Sequence, residues 1–243
     1  KSIETAIGIF AAWTIGAAWC AIDTSIPEAR TKRTLEILQP KTLLFLDNIP
    51  NIIERSTDEK EIMSEAYAFN SGDVAYYIST SGSTGEPKIV SLKAEGLSQI
   101  IQSWKQFYHL DSEQYVLQLG SWTSDVFLGD LLKAWSTNGY LFVCEEEKRI
   151  DMAYLAEMAA KYNISFLEST PVLVREFIHF LNEENRVLKD LKTIVVGADT
   201  FRLEEKNEIC DMLWEGVNFY NGYGLSECTI ESLVYMCNNN QDS

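Results

Sequence analysis

Short apolar runs rich in β-branched and aromatic residues alternate along the chain with longer stretches whose apolar residues recur at helical spacing. Candidate strands are Ala18–Ile22, Thr42–Leu46, Val74–Ser79, Tyr115–Leu119, Tyr140–Cys144, Ile164–Leu167, Thr193–Val196 and Val217–Tyr220. Helical spacing marks Leu97–Phe107, Val126–Trp135, Met152–Tyr162, Val172–Leu181 and Leu203–Leu213. The first residues form a further apolar helix through Ile7, Phe10, Ala11 and Thr14, which lacks the basic cluster of a signal peptide. Strands that alternate with helices predict an α/β fold of parallel-rich sheets flanked by helices. The polar, acidic stretch Glu54–Asp73 separates residues 1–70, a partial first α/β subdomain, from a second spanning 71–243. The chain opens in a helix and closes in the polar "YMCNNNQDS", the pattern of a piece of a larger protein.

Charge and cysteine content narrow the function classes. With 36 Asp and Glu against 20 Lys and Arg, the net charge is −16, which repels phosphate backbones, so nucleic acid is not an expected partner. No apolar run reaches the ~18 residues of a membrane span. The five cysteines (Cys20, Cys144, Cys210, Cys228 and Cys237) include no CxxC pair, which suits buried thiols in a reducing, cytoplasmic compartment. His109 and His179 each follow an aromatic residue in helix-like sequence and read as helix-surface histidines.

One stretch breaks the pattern. "STSGSTGEPK" (Ser79–Lys88) puts small hydroxyl residues, two glycines and a lysine at the end of an apolar strand. Glycine lets backbone approach an anion, and hydroxyls and amides donate to its oxygens, so the composition suits a phosphate cradle. It suits a flexible surface turn equally well. It is not a Walker A loop, because Gly82 to Gly85 is too short and Ile89 follows Lys88.

The order of residues closely resembles the phosphate-binding signature of the adenylate-forming superfamily: acyl-CoA synthetases, luciferases and the adenylation domains of nonribosomal peptide synthetases. Thr80, Ser81, Gly82, Ser83, Thr84, Gly85, Pro87 and Lys88 match in order, and Ile89 departs from the usual glycine. "GAAWCAIDTSIPEAR" (Gly16–Arg30), "SDVFLGDLL" (Ser124–Leu132) and "NGYGLSE" (Asn221–Glu227) resemble further motifs of that family in the expected order. The first and second of these favour the peptide-synthetase branch. In "NGYGLSE", Leu225 and Ser226 replace the branch's Pro and Thr, and "VVGAD" (Val195–Asp199) has Ala198 where the family has glycine.

The resemblance implies a two-step reaction with ATP and Mg²⁺. A carboxylate attacks the α-phosphate to give acyl-AMP and pyrophosphate, and the acyl group then passes to a thiol, here phosphopantetheine on a partner carrier-protein domain. It implies that Ser83 and Thr84 donate to ATP phosphates, that the loop with Lys88 covers the pyrophosphate, and that Ser226 donates to the α-phosphate. Glu227 would hold Mg²⁺, Tyr223 would stack on adenine, Asn221 would contact its amino edge, and the segment with Ala198 would wall the pocket. The ribose-binding aspartate and the catalytic lysine of the family's C-terminal domain find no counterpart here, so the fragment alone is expected to be inactive or weak.

Aligned with the family's pocket positions, the substrate side chain would meet Asp125, Val126, Gly129, Glu168, Val195, Gly197, Gly222, Ile230 and Glu231, with Asp125 taking the α-ammonium. No lysine or arginine lies among these positions. Glu168, at the end of an apolar strand, therefore calls for a cationic ligand unless water or an arginine such as Arg175 answers it; ornithine comes first because the pattern resembles known ornithine-type pockets, then lysine or arginine. A fatty- or aryl-acid CoA ligase, which has no use for a carboxylate at Asp125, and a non-catalytic degenerate module are the alternatives.

Overall fold

The computed structural model describes residues 3–23, 26–45, 68–81 and 87–238. By compactness the chain divides into Lys1–Ser98 and Gln99–Ser243. The boundary expected near residue 70 falls inside the first of these units.

The first unit contains α1 (Ile3–Thr14), β1 (Trp19–Cys20), α2 (Glu28–Leu38), β2 (Val74–Ser81) and β3 (Pro87–Lys93). Its sheet has the order β1-β2-β3, with β1 parallel and β3 antiparallel to β2. The Trp13 indole donates to the Ala75 carbonyl at 2.8 Å and ties α1 to β2. Trp19 stacks on Tyr76 with ring centroids 5.6 Å apart. Thr80 lies opposite Lys88 and Ser81 opposite Pro87, so β2 and β3 pair antiparallel up to either side of the Ser/Thr/Gly-rich sequence. Gly82, Ser83, Thr84 and Gly85 lie outside the described residues.

Two sequence expectations change here. Thr42–Phe45 form no strand, and Leu43, Leu44 and Phe45 stay exposed, because no strand among the described residues pairs with them. Leu46 lies outside the described residues. Conversely, the sequence pattern does not announce α2: only Thr34 of its run is buried, so it carries almost no apolar period.

α3 (Ala94–Phe107) runs from the first unit into the second. There follow β4 (Tyr115–Gln118), α4 (Asp125–Ser136), β5 (Tyr140–Val143), α5 (Met152–Lys161), β6 (Phe166–Ser169), α6 (Pro171–Glu183), β7 (Thr193–Val196), α7 (Leu203–Met212), β8 (Asn218–Tyr223) and β9 (Leu233–Met236). They build a six-stranded sheet of order β5-β4-β6-β7-β8-β9, parallel except for β9. The expected α/β alternation is therefore present. The antiparallel edge strand β9 is the addition.

Side-chain alternation gives the sheet two different faces. Leu117, Leu167, Ile194, Val196 and Phe219 face one way and form the main core with Leu155, Phe177 and Ile209 of α5, α6 and α7. Start signals are visible where these helices begin: the Asp151 carboxylate accepts from the Tyr154 amide at 3.0 Å, and Pro171 opens α6. Phe166, Glu168, Val195 and Tyr220 are the alternate residues. On that face Tyr108, just beyond α3, packs edge-on against Phe166 and Tyr220, at 5.6 and 5.0 Å between centroids.

The order of connections fixes where a ligand can bind. From β4 the chain moves outward to β5, then returns past β4 to β6 and continues to β8. The direction reverses between β4 and β6. In parallel sheets the crevice beyond the carboxyl ends at such a reversal is the default ligand site.

The thiols are all free. Cys144 and Cys237 are buried as expected, whereas Cys228 is exposed.

Candidate active site

The residues at the carboxyl ends of the second unit's strands are those the sequence singled out. The β4 strand leads through Gly120–Ser124 to Asp125, the first residue of α4. β6 ends on Glu168 and Ser169, β7 is followed by Gly197 and Ala198, and β8 carries Asn221, Gly222 and Tyr223. The register puts Glu168 beside Val195 and Val195 beside Tyr220, so these residues form one row across three strands.

Asp125 accepts a hydrogen bond from the Ser226 hydroxyl at 2.7 Å. Burial pushes its carboxyl above the ordinary carboxylate value, and the Ser226 bond pulls it part of the way back. Along α4, Gly129 and Lys133 follow at i+4 and i+8 from Asp125, on the same helical face.

Lys133 is the addition the structure makes to this set. Its ammonium lies 2.5 Å from Glu168 Oε2, and only 1% of its side chain is exposed, against 10% for Glu168. The ammonium also sits over the Trp104 ring, 4.3 Å from the centroid, and near Phe166. Burial alone would lower the lysine's pKa; the negative charges of Glu168, Asp130 and Glu231 outweigh it and hold the ammonium protonated. The partner of Glu168 is therefore a resident lysine, not the ligand and not Arg175, which lies among Glu176, Glu205 and Glu208.

Glu231 completes the cluster. Its Oε2 accepts from the Trp104 indole at 2.7 Å and its Oε1 from the Tyr108 hydroxyl at 2.6 Å. A methyl group at Gly222 would occupy the space of Glu231 Oε1, so glycine there admits the carboxylate. The turn before Glu231 is strained: Thr229 and Ile230, both β-branched, have φ of 63° and 71°. Ala198 likewise has φ of 63°, at the position where the family signature has glycine.

Burial, then the charge of Glu168, pushes the Glu231 carboxyl above its ordinary value of 4.5, against the pull of Lys133 and the two hydrogen bonds. A carboxyl raised in the folded state binds more protons than in the unfolded chain. Its stabilising contribution is complete below pH 4.5 and is lost as pH rises through the folded pKa. Urea unfolding from pH 4.5 to 8 should therefore show wild-type stability declining relative to Glu231→Gln, and parallel curves would contradict this. The slope is the readout, since the amide also changes the hydrogen bonds to Trp104 and Tyr108.

The residues that the family resemblance assigns to the nucleotide have a different character. Tyr223, at the end of β8, is 57% exposed, which leaves its ring open for stacking. Asn221 is partly buried and pairs in register with Val196. Glu227 is exposed in the short turn Ser226–Cys228. No group of three metal-ligating side chains exists among the described residues. A single exposed carboxylate such as Glu227 is a hard oxygen donor of the kind that could share a Mg²⁺ with phosphate oxygens and water. Thr80 is partly buried and Lys88 exposed in the β2–β3 pair of the first unit.

Trp104, Tyr108 and Lys133 are the residues that sequence reasoning misses. A faint signal exists for Lys133: it is a lysine inside the apolar helical run "VFLGDLLKAW" (126–135), one turn beyond Gly129.

Known proteins resemble this chain in sequence and in fold. Gramicidin S synthase 2 of Brevibacillus brevis is 28% identical over 246 residues, covering 97% of this chain and 6% of that protein. Tyrocidine synthase 3 of Brevibacillus parabrevis is 28% identical over 246 residues, covering 97% of this chain and 4% of that protein. The chain thus spans only a small part of the length of these relatives. Among solved structures, the AMPPNP-bound nonribosomal peptide synthetase FmoA3 superposes with a TM-score of 0.83 at 20% identity, over 100% of this chain and 27% of that one. The Vibrio cholerae adenylation domain AlmE, in complex with glycyl-adenosine-5'-phosphate, gives 0.78 at 16% identity, over 100% of this chain and 52% of that one. No helix among the described residues is long and apolar enough to cross a membrane. The profile of the AMP-binding enzymes matches residues 1–243 throughout, and the chain belongs to that family.

Proposed function

We propose that the full-length protein activates an amino acid as its aminoacyl-adenylate and loads it onto the phosphopantetheine thiol of a carrier domain. The observation that carries this reading is Asp125: a half-buried carboxylate at the crevice, with one oxygen held by Ser226, suits an α-ammonium and not an acyl chain. In the first step a substrate carboxylate oxygen attacks the α-phosphorus of ATP and pyrophosphate leaves. In the second, the thiolate sulfur attacks the acyl carbon and AMP leaves. Asp125 orients the substrate and Tyr223 and Asn221 hold the adenine; Glu227 would hold Mg²⁺, which would offset phosphate charge, and by the family resemblance Thr80 to Lys88 would cover the pyrophosphate. Charge develops on phosphate oxygens, so positioning and electrostatics supply most of the rate.

A basic side chain, ornithine before lysine or arginine, remains the favoured substrate, on a changed argument. Glu168 already has a partner. What favours a cation is the charge balance, with one ammonium among three carboxylates. Amino-acid-dependent ATP–pyrophosphate exchange by the full-length protein, run across the common amino acids and ornithine, tests both levels. Exchange with a basic amino acid supports both, and exchange with a neutral one keeps the reaction and removes the substrate. Exchange with none removes the reaction. Residues 1–243 alone are expected to exchange negligibly.

A further inference from the structure

Lys133 does more than neutralise a carboxylate. A methyl group built on Gly129 would have Lys133 Nζ as its nearest neighbour at 3.4 Å, then Ile230 Cγ2 at 3.5 Å and Trp104 Cη2 at 3.6 Å. The ammonium therefore borders, at van der Waals distance, the space that the absent side chain of Gly129 leaves open, among the residues expected to line the substrate pocket. It also lies deeper than its partner, with Glu168 the more exposed of the pair. Trp104 backs it on one side, and the same indole holds Glu231.

We propose that Lys133 is a specificity-determining residue that sets the length of side chain the pocket accepts: its tip closes the far end, so a substrate ammonium must stop at the outer side of Glu168. The inference rests on the cationic-substrate reading above and adds a residue outside the pocket positions aligned from the family. A side chain of ornithine length ends at Glu168 with Lys133 behind it. A side chain one methylene longer would drive its own ammonium past the outer side of Glu168 and into the volume Lys133 fills, where the two ammonium groups would collide. Truncating Lys133 empties that space and leaves Glu168 without its partner, which a longer substrate amine can then replace.

The test is exchange by the full-length protein with ornithine and lysine, for wild type, Lys133→Ala and Lys133→Arg. One methylene in a pocket is worth about 10- to 200-fold in kcat/KM. Wild type should favour ornithine by about 10-fold or more, Lys133→Ala should shift the ratio toward lysine by about 10-fold or more, and Lys133→Arg should keep the preference for ornithine. Should Lys133→Ala be too unstable to assay, free lysine should raise its thermal midpoint and leave that of wild type unmoved, because a ligand stabilises only the fold that binds it. A wild type that prefers a neutral amino acid overturns this inference and the cationic reading together. A wild type that prefers ornithine, with a ratio unmoved in Lys133→Ala, overturns this inference alone. So does a variant whose midpoint free lysine does not shift.

Discussion

Replacing Glu168 by alanine should cost about 3–5 kcal/mol of stability, because it strands an ammonium in the interior. Lys133 has 1% of its side chain exposed, so water cannot take over from the lost carboxylate. Asp130 and Glu231 remain nearby, but Glu168 exerts the largest pull of the three carboxylates on the ammonium, and Glu231 is engaged with Trp104 and Tyr108. The double variant Lys133→Met/Glu168→Leu removes both charges and keeps most of the volume. It should recover to within about 1 kcal/mol of wild type or exceed it, as replacements of buried ion pairs by apolar residues do. Urea unfolding followed by tryptophan fluorescence provides the measurement, with Trp104 as a reporter 4.3 Å from the ammonium. A single variant that costs under about 1 kcal/mol would place the pair in the weak class of exposed ion pairs.

Asp125→Ala should lower kcat/KM for the amino acid by about 30- to 5,000-fold, the equivalent of ~2–5 kcal/mol for one member of a desolvated charge pair. The loss should concentrate on the α-amino group: a substrate analogue lacking that group should be discriminated against by wild type and much less by the variant. Ammonium binding requires the ionised carboxylate, and burial raises the Asp125 pKa above 3.8. The acid limb of kcat/KM should therefore lie above the range of an exposed aspartate. Ser226→Ala removes a hydrogen bond that lowers this pKa, so it should move the limb to still higher pH. A limb that stays in place in Ser226→Ala would remove the Ser226–Asp125 bond from the account.

Much of this architecture is legible in the sequence because each core strand of the second unit is a short apolar run between helices of clear period. Thr193–Val196 is buried at all four positions, and its apolar run marks the strand to the residue. Strand β9 is not legible, since its burial alternates between exposed and half-buried and its pairing is decided by β8 rather than by its own sequence. Thr42–Phe45 shows the converse, an apolar run without a ladder to join among the described residues. At the site, the positions on strand ends are visible because they lie inside ordered motifs. The interactions among them are not. Lys133 is 35 residues from Glu168, and Trp104 is 127 residues from Glu231. Nothing in local spacing reports a pairing that only the sheet order brings together.

The fit between Gly222 and Glu231 constrains how this pocket can change over generations. The carboxylate occupies the volume that any side chain at residue 222 would need, and Trp104 and Tyr108 hold it there. The two positions are therefore one locus in effect. A lineage that enlarges residue 222 first passes through a clash, whereas one that first shortens residue 231 opens room and frees two hydrogen-bond donors. Substrate preference here can drift readily in one order of substitutions and hardly at all in the other.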